Sequence, residues 1–539
     1  MRRYAKWVLA AFAALVVLVV AALAALPLLV DTPRVQSLIA TSASQALGRP
    51  VTFASVSVTV FPLPAVELRG LEVADDPKFD TAPFLKLERG ELRLRLRPLL
   101  SGRVEFGELV LRQPRIALIQ SADGRLNVST LGPREDTHAP ARPGRGGGGA
   151  GAPSALVSRV RIDKGVVTYV VRGAATAAPQ YRIEDLDLTL TGGGPRVGFD
   201  GSLQVRPGDL ALRITEGALT LDGGKSLLDA PVRARVALEG RDLGSLAANA
   251  LGPTPAIGGA VKGTLAVAGT LGQPTASGEI ELAPATLTQT NAQCPEPRRR
   301  TLTLATLKVS GAWQDSRLTG RPLTSRLASG TITANVTASL DRGVRIGLGD
   351  LAIRGLPLER VLVDFLCQGY AVSGPLDLDG ALSLTLSDLW TTLSGPGRLR
   401  IGPGRVVGAQ ALGLLDGIVR VGGAVSALLS ADLPSSLFAA PLEFESITGT
   451  YQITNGVLTT RDLLYTSRAM KVAVAGEYGL ATGRMNLDVV MNHGRGEVKA
   501  KVTGTAASPS IRVVPSTILR EADPKKVEQG LQDLLKRFR

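Results

Sequence analysis

Alternation of apolar and polar residues is the main pattern along most of the chain. Val56, Val58 and Val60 alternate with serine and threonine, and Leu92, Leu94 and Leu96 alternate with arginine. Successive side chains of a β-strand point to opposite faces, so a period of two predicts strands with one apolar and one polar face. Gly, Asp and Pro turns separate further strands that the same pattern predicts at residues 104–111, 116–119, 166–171, 186–190, 376–378 and 382–386.

Two short segments have helical spacing instead. One begins with Pro33 in the first helical turn and ends at Gly48, close to the amino-terminal apolar run. The other begins at Pro524 and carries leucines on one face and lysines and arginines elsewhere. This basic amphipathic helix either caps the open end of the sheet or contacts a membrane or a partner.

The amino terminus predicts a membrane anchor. Arg2, Arg3 and Lys6 precede an uncharged apolar run over residues 7–30, which is long enough to cross a hydrocarbon core of about 30 Å. The positive flank stays cytoplasmic, so the remainder is expected on the far side of the membrane. A cleaved signal peptide is the alternative, because residues 22–24 have the small-x-small shape of a cleavage site. The apolar run continues past that site, which favours a retained anchor.

Composition narrows the class of function. The chain has 539 residues and a net charge of +14, with 45% hydrophobic residues but 4% aromatic residues and 2 histidines. A His-rich metal site or an outer-membrane barrel with aromatic girdles is therefore not expected. The basic residues are spread along strands and form no blocks with stacking aromatics, so nucleic acid is not an expected partner. The charge instead suits an anionic membrane surface.

The search for catalytic motifs finds none. Residues 223–226 resemble the end of a phosphate-binding loop, but Leu219 stands where its first glycine is required. Asp377 and Asp379 occupy the polar face of a strand and do not form a calcium loop. The two histidines have no acid or nucleophile nearby in the sequence. We therefore expect no enzyme activity, no cofactor and no metal site.

Cys294 and Cys367 are the two cysteines of the chain. In an exported domain they are expected to form a disulfide, and the loop of about 73 residues would contribute roughly 4 kcal/mol on the chain-entropy account. Two unpaired buried thiols are the alternative.

Several motifs at both ends resemble the AsmA-type proteins of the Gram-negative envelope. Near the amino end they are Leu-Gly-Arg-Pro-Val at 47–51, Phe-Pro-Leu-Pro at 61–64 and Leu-Arg-Gly-Leu-Glu-Val at 68–73. Near the carboxyl end the resemblance lies in residues 393–397, 449–451, 455–458 and 504–509. These motifs are turn and packing signatures, so they indicate a family and no catalytic role.

The resemblance implies a single-pass inner-membrane protein whose periplasmic part is an elongated β groove, similar to bridge-like lipid transfer proteins. The expected fold is mostly β: a transmembrane helix, then a curled, taco-like sheet with short capping helices. Phospholipids are the implied ligands, and outer-membrane or periplasmic proteins are possible partners. The expected organisation is an anchor (1–30), an AsmA-like β domain (31–133), a Gly/Pro-rich linker (134–153), a middle groove (154–390), a carboxyl-terminal AsmA-like domain (391–519) and an amphipathic helix (520–539).

The expected number of strands also predicts an elongated sheet, independently of the resemblance. Roughly 30 strands spaced at ~4.8 Å form a sheet on the order of 140 Å long, which must twist or curl to shelter its apolar face. Alternation does not distinguish an open trough that carries lipid from a closed sandwich that acts as a scaffold. In the trough interpretation the lining residues are Val56, Val58, Val60, Leu92, Leu94, Leu96, Leu376, Leu378, Leu382, Leu384, Leu386, Val472 and Val474.

Overall fold

The computed structural model describes residues 37, 40–41, 43–45, 47–59, 65–95, 106–131, 158–172, 180–192, 195–221, 227–251, 256–291, 294–339, 343–367, 372–407, 443–468, 470–493, 496–506 and 508–513. The expected anchor at 7–30, the linker at 134–153 and the amphipathic helix at 520–539 lie outside these residues. Within the described part of the chain, no helix combines the length and the apolar character that a membrane crossing requires.

The prediction of a mostly β fold is confirmed. In the described residues, backbone pairing joins 26 strands into one sheet, and two further strands form a separate ribbon. By their contacts, residues 1–250 with 261–278 form one compact unit, and residues 251–260 with 279–539 form a second.

The first twelve strands, in chain order, are β1 Val51–Thr52, β2 Ser55–Thr59, β3 Ala65–Val73, β4 Leu85–Leu94, β5 Phe106–Arg112, β6 Arg115–Gln120, β7 Arg159–Val171, β8 Gln180–Thr191, β9 Arg196–Arg206, β10 Leu210–Thr220, β11 Val232–Gly240 and β12 Ala256–Gly269. The following strands are β13 Pro274–Thr290, β14 Arg299–Leu304, β15 Thr306–Gln314, β16 Arg317–Leu327, β17 Gly330–Ser339, β18 Arg345–Pro357, β19 Pro375–Thr385, β20 Gly395–Ile401, β21 Gly404–Arg405, β22 Glu443–Phe444, β23 Ser446–Thr454, β24 Val457–Thr466, β25 Lys471–Gly479, β26 Arg484–His493, β27 Gly496–Thr505 and β28 Ser508–Val513.

Helices are few and short in the described residues. Residues 37, 40–41, 43–45 and 47 are helical, and Gly48 follows them with a φ of 66°, the left-handed conformation with which glycine commonly ends a helix. The other helical segments are the α-helices Gly244–Leu251 and Leu389–Thr392, the π-helix Arg360–Phe365 and the 3-10 turns Asn127–Thr130, Leu227–Asp229 and Leu386–Asp388.

Strand β7 continues the sheet directly beyond the expected linker. It runs parallel to both β5 and β6, with Leu109 opposite Val160 and Ile116 opposite Val167. Parallel neighbours need a crossover connection, because the chain must return along the length of the strand. The thirteen residues of β7 span about 40 Å at ~3.3 Å each, which is the distance of that return. The sheet is thus continuous between β6 and β7.

Residues 376–386 form one strand and a turn, whereas the sequence predicts two strands with a turn between them. Gly380 pairs with both Leu351 and Gly397 inside β19. A Cβ at Gly380 would lie 2.4 Å from the carbonyl oxygen of Pro396, so this glycine permits close backbone approach and does not mark a turn. Leu386 falls outside the strand and begins the 3-10 turn Leu386–Asp388.

Candidate functional site

Apolar side chains of the first unit are arranged in rows that cross strands β7 to β12. Residues opposite each other in an antiparallel pair point to the same face, so the register places each row on one side of the sheet. One such row consists of Ile162, Leu188, Gly201, Ile214, Val236 and Leu265. A neighbouring row consists of Val167, Ile183, Val205, Leu210, Gly240 and Val261.

Most side chains of these rows are sheltered but only half-buried, whereas Ile162, Val167 and Val261 are buried. Leu188, Ile214, Val236 and Leu265 are all half-buried, while their strand neighbours on the polar face, such as Ala266, are exposed. A closed sandwich buries its inward side chains almost completely, because a second layer packs against them. The apolar face of β8 to β12 therefore presents accessible hydrocarbon.

The second unit shows a gradient of burial along its strands. Leu356, Leu376 and Ile401 stand side by side with 6%, 8% and 8% of their surfaces exposed. Farther along β19 on the same face, Leu382 and Leu384 are half-buried beside Leu348 and Ile346. The apolar face of this unit is thus closed at one end of the strands and open at the other.

A helical segment over residues 358–367, here called the strap, covers the closed end. Leu358 is 7% exposed, and Val361 and Leu362 pack on the buried cluster around Leu376. The strap ends at Cys367, which is joined to Cys294 by a disulfide with a Cα–Cα distance of 5.3 Å.

Two side chains from β13 and the turn after it reinforce the end of the strap. The Gln289 amide donates to the carbonyl oxygen of Phe365 over 2.9 Å, and the Asn291 amide donates to that of Leu366 over 3.3 Å. The strap is therefore held against the sheet by the disulfide, by these two hydrogen bonds, by the bond from the Leu358 backbone N–H to the Gly374 carbonyl and by the packing of its apolar side chains.

The start of the first unit is a compact block instead of an open face. Val56, Val66, Leu68 and Leu92 form a cluster in which each side chain is at most 9% exposed. Close packing of this kind leaves no room for a ligand. The block therefore suits a structural end piece better than a ligand surface.

A buried polar network fixes the chain just before this block. The Arg49 guanidinium lies 3.0 Å from Asp75 Oδ1 and also donates to Thr130 Oγ1 over 2.7 Å. The Asn127 amide donates to Asp75 Oδ2 over 2.6 Å, and the centre of the Phe84 ring lies 5.2 Å from the Arg49 guanidinium carbon. Buried charges need such partners, and here they tie the Gly-Arg-Pro motif to the segment after β6.

Carboxylates neutralise most of the arginines on the polar face of β3 to β5. Arg93 lies 2.7 Å from Glu108, and Arg112 lies 3.0 Å from Glu91. Burial alone would raise the pKa of Glu91, but hydrogen bonds and charge from Arg112 and Arg93 outweigh it and hold that pKa below its ordinary value. These arginines are engaged within the sheet and are not a free surface for anions.

The predicted lining residues fall into three groups in the structure. Leu378, Leu382, Leu384, Leu386 and Val474 are half-buried. Val56, Leu92, Leu376 and Val472 are buried in packed clusters, with at most 9% exposed. The side chains of Val58 and Leu94 and the whole of Val60 and Leu96 lie outside the described residues. The half-buried group marks the accessible part of the face, and its contact with lipid stays a prediction.

Alternation did not indicate the strap or the Arg49 network. Both depend on residues far apart in sequence, 73 for the two cysteines and 26 for Arg49 and Asp75. The cysteine pair was the single sequence signal for the strap. In the described residues, no group of three or more His, Cys, Asp or Glu side chains is placed to hold a metal ion.

Comparison with known proteins gives one match. The model of the AsmA family matches residues 1–235. No curated protein and no solved structure matches the chain.

Proposed function

With its first 235 residues matching the AsmA family, we propose that this protein binds phospholipid acyl chains on the half-buried apolar face of its sheet and conducts them between the inner and outer membranes. The match confirms the resemblance over these residues and is consistent with a role in lipid transport or envelope biogenesis. Transport itself is the proposal, and it requires no catalytic group.

The half-buried rows of apolar side chains are the observation that carries the proposal. Leu265 in the first unit and Leu384 in the second are sheltered by their neighbours yet remain accessible. An acyl chain fits such a surface, because it gains contact with hydrocarbon without displacing a packed layer.

The free energy of transferring acyl chains into water sets the cost that the apolar face must offset. Moving a two-chain phospholipid into water exposes about 30 methylenes at ~0.8 kcal/mol each, over 20 kcal/mol in total. A continuous apolar surface offsets most of that cost. Direction must then come from a gradient or a partner, since the sequence offers no nucleotide-binding loop.

We place the protein in the inner membrane, with residues 1–6 cytoplasmic and the sheet in the periplasm. Arg2, Arg3 and Lys6 before the apolar run support this orientation. Protease added outside spheroplasts should degrade the chain beyond Asp31, and full protection of that part would refute the orientation.

Site-specific photocrosslinking tests the acyl path directly. A photoreactive residue at Leu265 or Leu384 should capture phosphorus-labelled phospholipid in cells. Ala266, adjacent to Leu265, and Asp379, on the opposite face of β19 from Leu384, are the matched controls and should capture little. Equal capture at both faces, or none at either apolar position, would contradict the proposal.

A scaffold that assembles outer-membrane factors without carrying lipid is the second candidate. The packed block around Leu92 and the closed end around Leu376 favour it locally, because they resemble a dry core. Protein partners captured from the apolar positions in place of lipid would support this candidate.

A further inference from the structure

A cavity of about 560 Å³ lies in the second unit; most of its lining residues are polar, and Leu384 and Ile346 of the apolar face also border it. Its floor is formed by strands β16 to β19. Its wall is formed by Thr392 and Ser394, which precede β20, and by Asn455, which follows β23. The volume is in the range of small-molecule binding sites, which span roughly 300–1,000 Å³.

The floor is made of two parallel rows set by the strand register. Arg317 stands opposite Ser339, Ser339 opposite Arg345, and Arg345 opposite Thr385. The second row, two residues farther along the strands, is Thr319, Thr337, Gly347 and Ser383. At ~4.8 Å between strands, the two arginines are about 10 Å apart with a serine hydroxyl midway between them.

Glycine at the centre of the second row keeps the cavity open. A Cβ at Gly347 would lie 2.7 Å from Thr337 Oγ1, so a larger residue would push the threonine aside and fill the floor.

The charge of the cavity is positive and unopposed. No carboxylate is among the residues that line it, and neither arginine makes an ion pair with another described residue. This contrasts with Arg93 and Arg112, each of which faces a glutamate. Exposed arginines that lack internal partners present full donor capacity to a ligand.

Hydrogen bonds position the wall and engage part of the floor, where Thr319 Oγ1 donates to the Ala312 carbonyl over 3.4 Å and Ser383 Oγ donates to the Ser394 carbonyl over 3.3 Å. Thr392 Oγ1 accepts from the Thr385 amide over 2.9 Å and donates to the Asp388 carbonyl over 2.7 Å. Ser394 Oγ accepts from the backbone N–H of Asn455 over 2.9 Å. The wall is thereby positioned, while Ser339 and the arginines keep their donors for an incoming group.

We propose that this cavity binds a phosphate ester that carries a hydroxyl-bearing substituent, with Arg317, Ser339 and Arg345 holding the phosphate. Guanidinium groups form charge-assisted hydrogen bonds to phosphate oxygens, and the threonine and serine hydroxyls pair with hydroxyls of the substituent. A lipid head group and a soluble sugar or glycerol phosphate share this chemistry.

Titration of the full chain in uncharged detergent tests the site. Glycerol 1-phosphate at low ionic strength should bind, and its affinity should fall at least about tenfold in Arg317→Ala and in Arg345→Ala. Arg326→Ala is the matched control, since Arg326 lies on the same strand about 30 Å from Arg317 and outside the cavity. Ser339→Asp should also abolish binding, because it places a negative charge between the arginines.

Two further measurements identify the source of the phosphate and separate this proposal from the acyl-path proposal. If the fraction of protein that floats with phosphatidylglycerol vesicles also falls in the arginine variants, the site binds a lipid head group. If that fraction is unchanged, the site binds a soluble phosphate ester. Acyl crosslinking at Leu265, which does not line the cavity, should persist in Arg317→Ala, so failure of this site is distinguishable from failure of the acyl path. Equal affinity for glycerol 1-phosphate in the wild type, both arginine variants and the control would overturn the proposal.

Discussion

The Arg49 guanidinium lies 3.0 Å from the Asp75 carboxylate, and the two side chains are 3% and 0% exposed. The pair joins the end of the amino-terminal helix to the segment that follows β3. Because neither charge reaches water, each depends on the other for its solvation.

Removing one member of this pair should destabilise the first unit strongly. Asp75→Asn leaves a buried arginine without its counter-charge, and the expected loss is about 3–5 kcal/mol. Glu72→Gln, which removes the exposed partner of Lys86, is the control and should cost at most about 1 kcal/mol. Chemical denaturation of the two variants measures the difference, and equal losses would show that the buried pair has no special role.

Acid should weaken the charged face of β3 to β5. The pKa of Glu91 is lower in the folded protein, so its stabilising effect is complete above the ordinary value of 4.5 and is lost as pH falls through the lowered pKa. Thermal unfolding between pH 7 and pH 3 should therefore show a drop below about pH 4.5. The drop should be smaller in Glu91→Gln, and identical profiles would contradict the assignment.

Arginine substitution along β19 separates the open from the closed part of the apolar face. Leu384→Arg should leave the protein folded and abolish lipid capture, because the half-buried side chain reaches water but obstructs the acyl path. Leu376→Arg places an unpaired charge between Leu356 and Ile401, so it should cost a large fraction of a typical stability of 5–15 kcal/mol.

Thermal unfolding and lipid occupancy are measured on both leucine variants. Unfolding in Leu384→Arg as well would favour the scaffold candidate, since it would place Leu384 in a packed core.

Loss of the disulfide should loosen the strap. Cys294→Ser with Cys367→Ser removes a loop constraint of 73 residues, for which the chain-entropy account gives about 4 kcal/mol. Hydrogen exchange should rise first in residues 358–367, because the segment then loses its covalent link and is held by hydrogen bonds and apolar packing alone. Unchanged exchange there, or two free thiols in non-reducing peptide maps of the wild type, would refute the role of the bond.

Alternation predicted many of the strands because these strands have one sheltered and one solvated face. In β8, Leu186, Leu188 and Leu190 alternate with polar residues as the sequence indicates. Gly380 was the misleading signal in β19. Glycine is common in turns, but here it is needed because the neighbouring backbone comes too close for a Cβ atom.

The degree to which the apolar face is covered was not predictable from the sequence. Leu376 and Leu384 have the same alternation pattern, yet the strap covers only the first of them. The cavity that contains Arg317 and Arg345 was likewise not predictable from the sequence, because only the strand register brings these two residues into one row.

The parallel position of β7 sets the order in which the sheet can be completed. A hairpin closes as soon as its second strand has been made, but β7 reaches β5 and β6 only after residues 121–158 have followed β6. During that interval β5 and β6 have one unpaired edge, the kind of edge that recruits strands from other chains. A chain that stops before residue 171 therefore carries an unfilled strand position and a built-in tendency to aggregate.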